Sequence, residues 1–270
     1  MNPPVTLTVA GSDSSAGAGI QADLKAFAAN GTYGVCAVTA IVAESPGSVL
    51  SIEAVAPDLL GKQLAAVSAR HLPAAAKTGM LATASHVEVT ADFFLRNPSV
   101  ALVVDPVYRA SAGPHLLDEH GFAFLKGHLL PAARLVTPNV AEAEFLLDTS
   151  ITTRAEFESA PRRIAESFGC DALVTGGRFH GETVVTDAAW IDGDATLFSR
   201  QLLPVPDLHG TGCTLSAAIA ARLASGEDLE SAIRLARDYL FEAMRNHFSW
   251  GDADADAALN HFPTGIRVAE

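Results

Sequence analysis

His209-Gly210-Thr211-Gly212-Cys213-Thr214-Leu215-Ser216-Ala217-Ala218-Ile219, continuing to Ser225, is the stretch from which the rest of this 270-residue chain can be read. A Gly-rich turn runs straight into a helix-forming run from Leu215 to Leu223. Gly210 and Gly212 allow the backbone angles of a tight turn and let a ligand come close to the main chain. The first N–H groups of a helix have no partner inside it, and the helix dipole is positive at that end. The turn is therefore an anion hole, suited to a phosphate or to charge that develops during group transfer. Cys213 stands at the helix start, a position that lowers a thiol's pKa and makes it a candidate base or nucleophile. The same residues admit a plainer reading, a Gly-rich helix entry whose Cys is a small buried residue.

Outward from this turn, short apolar runs alternate with helical patterns. Val5–Ala10, Val35–Ala43, Val49–Val55, Ala74–Lys77, Val100–Val104, Leu135–Thr137 and Ala172–Thr175 read as strands. Ile20–Ala29, Pro57–Ala69, a run through Val87 and Phe94, Glu119–Leu130, Val140–Leu147, Arg154–Phe168 and Leu229–Arg245 read as helices. Thr183–Asp187 and Thr196–Leu202 alternate in polarity around Asp192-Gly193-Asp194, which predicts an antiparallel hairpin. The pattern implies an α/β fold: a mostly parallel central sheet between helices, with a small antiparallel hairpin. No linker, repeat or low-complexity tract interrupts residues 1–270, so a single domain is expected.

Composition narrows the function. No apolar run reaches the roughly 18–20 residues of a membrane span. The start, Met1-Asn2-Pro3-Pro4-Val5, lacks a basic region and reads as the approach to a strand, not as a signal peptide. Cys36, Cys170 and Cys213 are odd in number and far apart, which argues against a disulfide framework and suits a reducing cytoplasm. A net charge of −13 disfavours nucleic acid and anionic membrane as partners. An anionic ligand would then need a local field from helix N-termini or a metal.

In mostly parallel sheets ligands bind beyond the carboxyl ends of the strands. The unusual residues lie there. After the first strand comes Gly11-Ser12-Asp13-Ser14-Ser15-Ala16-Gly17-Ala18-Gly19, then Asp23. Gly17-x-Gly19-x-x-Ala22 fits a loose dinucleotide fingerprint, but the loop is long and no acid follows at the expected strand end, so a substrate loop is preferred. Asp23 also fits an ordinary solvated first-turn acid. Asp105 follows Val103-Val104 directly, and a carboxylate ending a buried strand is uncommon unless used or hydrogen-bonded. Asn139 and Glu142, at a strand-to-helix junction, fit a capping box. They also fit a pair of oxygen donors near a magnesium–phosphate group. Val174-Thr175-Gly176-Gly177 is a further Gly-bearing strand end.

These pieces occur in one order: Ala10-Gly11-Ser12-Asp13, Gly17-x-Gly19-Ile20-Gln21-Ala22-Asp23-Leu24-Lys25, Thr39-Ala40, Lys77-x-Gly79-Met80, Val104-Asp105-Pro106-Val107, Thr137-Pro138-Asn139-x-x-Glu142-Ala143-Glu144, Gly176-Gly177 and His209-Gly210-Thr211-Gly212-Cys213-Thr214. Over nearly the whole chain this resembles the hydroxymethylpyrimidine/phosphomethylpyrimidine kinases of thiamine biosynthesis, in the ribokinase superfamily. The resemblance implies a ribokinase-like fold, ATP as co-substrate with Mg²⁺, a small-molecule alcohol as acceptor, and a homodimer. It makes Cys213 the catalytic base, where many ribokinase relatives carry Asp, and has the Gly210 and Gly212 N–H groups hold the transferring phosphoryl. Asp105 and Glu142 would organise Mg²⁺ and its waters, with Asn139. Asn139, Thr175, Gly177 and Thr211 would line the nucleotide. Gly11, Asp23, Glu44, Met80 and Val107 match positions around the pyrimidine. Three departures stand out: Glu44 where the family usually has Gln, Thr175 where it usually has Lys, and the bulkier Val107-Tyr108-Arg109-Ala110-Ser111. Related pyridoxal kinases share much of the pattern, so a pyridoxal or pyridoxine kinase is the alternative. A ligand-binding or regulatory protein that has lost phosphoryl transfer is an alternative of another class. The intact Gly-Thr-Gly-Cys turn and Asn-x-x-Glu argue against it.

Overall fold

A computed structural model describes residues 2–45, 48–108, 116–178, 182–250 and 257–262. Strands Val5–Asp13 (β1), Tyr33–Ser45 (β2), Ser48–Ala54 (β3), Ala75–Thr78 (β4), Ala101–Val104 (β5), Leu135–Val136 (β6), Asp171–Gly177 (β7), Val184–Ile191 (β8) and Asp194–Gln201 (β9) form one sheet in the order β3-β2-β1-β4-β5-β6-β7-β8-β9. From β2 to β7 neighbours pair in parallel; β3 pairs antiparallel with β2, and β8 antiparallel with both β7 and β9.

The parallel strands are buried on both faces, so successive residues enter opposite cores. Leu102, Val104, Val136, Ala172 and Val174 face one core, and Val103, Leu135 and Leu173 the other. Helices Gly19–Ala29 (α1), Thr211–Ala224 (α7) and Leu229–Arg245 (α8) cover the second face with Ala26, Phe27, Ile219 and Ile233. Pro57–Arg70 (α2), Ala84–Arg96 (α3), Glu119–Phe124 (α4), Val140–Leu147 (α5) and Arg154–Phe168 (α6) cover the first with Leu60, Val87, Phe122, Leu146 and Phe157.

Helices α5 and α6 have the expected bounds, because each starts on a capping box and α6 ends on Gly169 in the left-handed conformation. The expected antiparallel hairpin forms as β8 and β9, and β8 also pairs with β7 through Leu173–Ala189 and Val174–Ala188, so it extends the main sheet. Elsewhere the structure differs from expectation. The helix expected over 119–130 gives way after Phe124 to a π turn, Leu125–Leu129, and a 3-10 turn, Leu130–Ala132. Gly127 and Pro131 are poor residues for a regular helix interior. A second small sheet, Phe248–Ser249 (β10) with Ala257–Ala258 (β11), was not anticipated.

The chain lays β2 and β3 on one side of β1, then crosses to place β4 and all later strands on the other. The switch between β1 and β4 opens a crevice at the carboxyl ends of these strands, the place where such sheets bind ligands.

Candidate active site

The first wall of the crevice is the start of α7. Gly210 has φ 83°, and a Cβ there would collide with the carbonyl of Gly17, so only glycine lets this turn pack on the β1–α1 loop. Among the described residues no side chain caps α7, and its first turn holds no acid. The starts of α1 and α2 share this lack of a capping side chain, whereas α3, α4, α5, α6 and α8 are capped by Thr83, Asp118, Asn139, Thr153 and Asp228. The leading N–H groups of α7 are thus left available to a ligand. Gly212 is exposed, and a Cβ on it would stand 3.9 Å from the Asp105 carboxylate. Thr211 is half-buried beside it.

Cys213 sits in this turn, but its thiol is not lowered, as its place at a helix start had suggested. Burial pushes it up, and the charges of Asp105 and Asp23 add to this; Lys77 and a backbone hydrogen bond from Gly19 oppose them, and the result is about 12. The residue keeps some open surface, so burial here means atoms packed densely around the sulfur.

The second wall is made of carboxylates. Asp105 ends β5, is 5 % exposed, and accepts a hydrogen bond from Ser216 Oγ of α7 at 3.2 Å. Its backbone N–H donates to the Thr78 carbonyl at 3.0 Å, which fixes the strand end. Burial raises the Asp105 carboxyl, and Lys77 opposes this. Glu142 is pushed up to about 8, by burial first and then by the charge of Asp105. Asn139 caps α5, so its capping reading holds structurally; it also pairs with Thr175 across β6 and β7. Thr175 is half-buried, its N–H donating to the Pro138 carbonyl at 2.9 Å. Gly177 is buried, and a Cβ there would collide with the Phe157 ring, whereas Gly176 is exposed.

The third wall lies over β1, β2 and β4. Gly11 is buried with Met80 Sδ 3.3 Å from where its Cβ would be. Thr39 Oγ1 donates to the Met80 carbonyl at 2.7 Å. Val107 is half-buried, held by a turn to the Asp105 carbonyl at 2.8 Å. Glu44 ends β2 with its side chain 16 % exposed, 3.5 Å from His209 Nε2. Asp23 is neither a solvated acid nor open to the crevice. It is fully buried, takes two contacts from Lys77 Nζ at 2.9 and 3.0 Å, and accepts from Thr8 Oγ1 at 2.6 Å. Burial works against charge on both partners, but the two-point geometry is that of an ion pair. Asp23 holds the Lys77 ammonium charged, with Cys213 and Asp105 adding to its field. Arg109, Ala110, Ser111, Pro46 and Gly47 lie outside the described residues.

Four residues of the site were given no role by the sequence. Lys77 had a usable signal, since a lysine ending a short apolar strand is anomalous. His209 and Asp13 stood inside quoted motifs. Ser216 looked like one more small residue of a helix. A cavity of about 410 Å³ lined by Arg134, Glu166, Cys170, Asp171 and Trp190 lies elsewhere, at the amino ends of β6 and β7, and gathers none of these groups.

Known proteins align with this arrangement. A family model described as phosphomethylpyrimidine kinase matches residues 13–257. The chain is 37 % identical to a hydroxymethylpyrimidine/phosphomethylpyrimidine kinase of Synechococcus elongatus, over 97 % of this chain and 98 % of that one. It superposes on phosphomethylpyrimidine kinase from Clostridium difficile with TM-score 0.79 and 34 % identity, covering 89 % and 99 % of the two chains. It also superposes on an ADP complex of Bacillus subtilis pyridoxal kinase with TM-score 0.86 and 31 % identity, covering 96 % and 98 %. With the uncapped turn at Gly210, the acid ending β5 and the Asn139–Glu142 box all within the matched span, the chain belongs to the phosphomethylpyrimidine kinase family.

Proposed function

We propose that the protein transfers the γ-phosphoryl group of ATP to the hydroxymethyl oxygen of 4-amino-5-hydroxymethyl-2-methylpyrimidine, and then phosphorylates the monophosphate. The observation that carries this reading is the meeting of the open start of α7 with Asp105: Ser216 Oγ of α7 donates to that carboxylate at 3.2 Å, and a Cβ on Gly212 would stand 3.9 Å from it. Phosphoryl transfer needs little covalent help from a protein; it needs positioning and charge stabilisation. The N–H groups at Gly210, Thr211 and Gly212 supply the second. Cys213 is the base: its sulfur takes the hydroxyl proton as the substrate oxygen bonds to phosphorus and the bond to the ADP oxygen breaks. With the thiol pushed up to about 12, the thiolate is scarce in the protein alone. Neutralising Asp105, one of the charges that hold the thiol up, brings it down.

Asp105 and Glu142 fit a hard divalent cation. The charge of Asp105 raises Glu142, and among the described residues the cation acting on Asp105, Lys77, is engaged with Asp23. They would hold Mg²⁺ and its waters, and what Mg²⁺ supplies there is neutralisation of phosphate charge. Asn139, Thr175 and Gly177 border the nucleotide. Gly11, Met80, Val107 and Glu44 border the pyrimidine, with Asp23 acting behind them through Lys77.

The reading takes the whole chain as one kinase domain, since strands from residue 5 to residue 201 share one sheet. Cys36, Cys170 and Cys213 are free thiols, in keeping with the cytoplasm. Among the described residues no helix is long and apolar enough to cross a membrane. A second copy is the expected partner: β2 and β3 expose Tyr33, Ile41 and Leu50, apolar surface that a dimer would cover.

One observation favours the alternative vitamin kinase: the 0.86 superposition on pyridoxal kinase. Product formation from ATP, Mg²⁺ and each alcohol separates the two. The pyrimidine is expected to be turned over with the higher kcat/KM; a clear preference for pyridoxal reverses the assignment, and binding without turnover of either removes the kinase reading.

A further inference from the structure

His209 stands one residue before the anion-binding turn, and the transfer described above does not use it. Its Nε2 lies 3.4 Å from an Asp13 carboxylate oxygen and 3.5 Å from a Glu44 carboxylate oxygen. That nitrogen is enclosed, and among the described residues no hydrogen bond of good geometry closes on it. A ligand cannot reach it unless the carboxylates move aside, so whatever His209 does to a ligand it does through them. The ring is pinned from behind: a Cβ on Gly17 would stand 2.9 Å from His209 Cδ2. Asp13 is fixed independently, accepting from the Ser15 and Ala18 N–H groups at 2.7 and 2.8 Å and from the Ser15 hydroxyl at 2.9 Å. The Glu44 main chain is clamped both ways by Ser14 Oγ, at 2.7 and 2.8 Å. For the Glu44 carboxylate itself, the contact described is His209.

We propose that His209 is a positioning residue for the substrate: as an imidazolium between Asp13 and Glu44, it holds the Glu44 carboxylate at the ring edge and couples that edge to the turn at Gly210. This rests on the reading that Glu44 faces the ring. Without the positive ring, Asp13 and Glu44 are like charges with nothing between them, and Glu44 swings away.

The surroundings keep the imidazole charged. The β1–α1 loop contributes Asp13, β2 contributes Glu44, and the segment before the turn contributes Asp207. Asp13 raises the His209 pKa most, burial opposes it, and Glu44 and Asp207 add to the rise. From α1 comes Lys25, which donates to the Ala16 carbonyl at 2.8 Å and acts electrostatically on Asp13. The first turn of α7 brings no acid. Burial raises Asp13, but the neighbouring His209 ring and the hydrogen bonds from Ala18 and Ser15 outweigh this and hold it well below the usual carboxylate range. Glu44 is raised, by burial first and then by Asp13, and His209 opposes that. The arrangement is therefore complete between the ionisation of Glu44 and the deprotonation of His209, which falls above the ordinary value of about 6.5. Above that point Glu44 faces ionised Asp13 unshielded, and KM for the pyrimidine rises.

The test measures kcat and KM for the pyrimidine from pH 6 to 9, at saturating ATP, for the wild type, His209→Asn, Glu44→Gln and the double variant. His209→Asn is expected to raise KM near neutrality about tenfold, the scale of one charge-assisted contact, with kcat little changed, and to abolish the alkaline rise. In the Glu44→Gln background the same substitution should have little further effect. An equal effect in both backgrounds, or an alkaline rise that persists in His209→Asn, overturns the role of His209 alone. An unchanged KM profile in Glu44→Gln overturns the ring-facing reading beneath it. If His209→Asn does not fold, ¹⁵N NMR of the imidazoles decides. One histidine should titrate above its ordinary range in the wild type and move down in Glu44→Gln; no such movement overturns the proposal.

Discussion

At the start of α5, the Glu142 N–H donates to Asn139 Oδ1 at 2.9 Å and Glu142 accepts from the Asn139 N–H at 2.9 Å; at the start of α6, Thr153 and Glu156 make the same exchange at 3.2 and 2.8 Å. The two boxes share their spacing and their local role. Their glutamates nevertheless behave in opposite ways. Glu156 is drawn down to about 2, by the Thr152 and Thr153 N–H groups first and then by the hydroxyls. Glu142 is pushed up to about 8 by burial and by Asp105. Capping and ligand-holding are therefore not rival readings of Asn139-x-x-Glu142. The box fixes the carboxylate in place, and the end of β5, distant in sequence, gives it a second negative group to face. Among the described residues no cation is paired with Glu142, whereas the Glu156 carboxylate is met by the N–H groups of Thr152 and Thr153.

If that contrast locates the chemistry, the largest effect belongs to the residue on the far side of Asp105. Cys213→Ala should lower kcat by roughly 10²–10⁴, the scale of general acid–base catalysis. ATP binding should survive, because the N–H groups of the turn belong to the backbone. Calorimetric titration with ATP and steady-state kinetics on the same sample check both halves, and unchanged turnover returns Cys213 to a packing role.

Asp23 sharpens the comparison from the other direction, because its charge is fully met inside the fold. Lys77→Met leaves Asp23 buried without its partner, and breaking such a pair costs about 3–5 kcal/mol. Urea unfolding of the variant reads this directly. A loss below 1 kcal/mol would mean that Asp23 takes up a proton at little cost and that the pair is incidental.

Glu142→Gln keeps the box, since a Gln side chain still accepts from the Asn139 N–H. It removes the charge. Turnover at limiting Mg²⁺ should fall about 10–100-fold, the usual cost of losing a group that supports a metal site. Glu156→Gln should leave turnover unchanged. Equal losses in both variants would show that the boxes act only through helix stability.

How much of this could be read from the sequence follows the same division between local and distant. The bounds of α5 and α6 were legible because capping is settled within four residues. The β8–β9 hairpin was legible from Asp192-Gly193, but its attachment to β7 was not, because pairing partners carry no local mark. The uncapped turn at the start of α7 was legible, since its glycines and the helix that follows are neighbours in sequence. The state of the Cys213 thiol was misread because the helix dipole is local, whereas the packing and the carboxylates that overcome it arrive from β5 and α1. Asp23 was placed at the right end of the sheet, yet its partner Lys77 could be found only by asking why a lysine ends an apolar strand.

The smallest effect separates the two boxes by pH. Glu156 has a folded pKa of about 2, below its ordinary 4.5, so it stabilises the fold above pH 4.5 and loses that contribution as pH falls toward 2. Glu142 has the opposite sign: with a folded pKa of about 8 against 4.5, the fold favours its protonated form. Stability from that source is complete below pH 4.5 and drains away as pH rises through 8. Thermal melts without divalent cations should therefore show Glu142→Gln gaining on the wild type from pH 4.5 to pH 8.5, by a few degrees for a chain of this size. Glu156→Gln should lose to the wild type at pH 6.5 and above, the gap closing as the buffer is acidified. Added Mg²⁺ at pH 8.5 should raise the melting temperature of the wild type and leave Glu142→Gln where it was, because the amide offers the cation no charge. Parallel curves for the two variants would mean that Asp105 does not reach Glu142, and that the likeness of the two boxes extends to their chemistry.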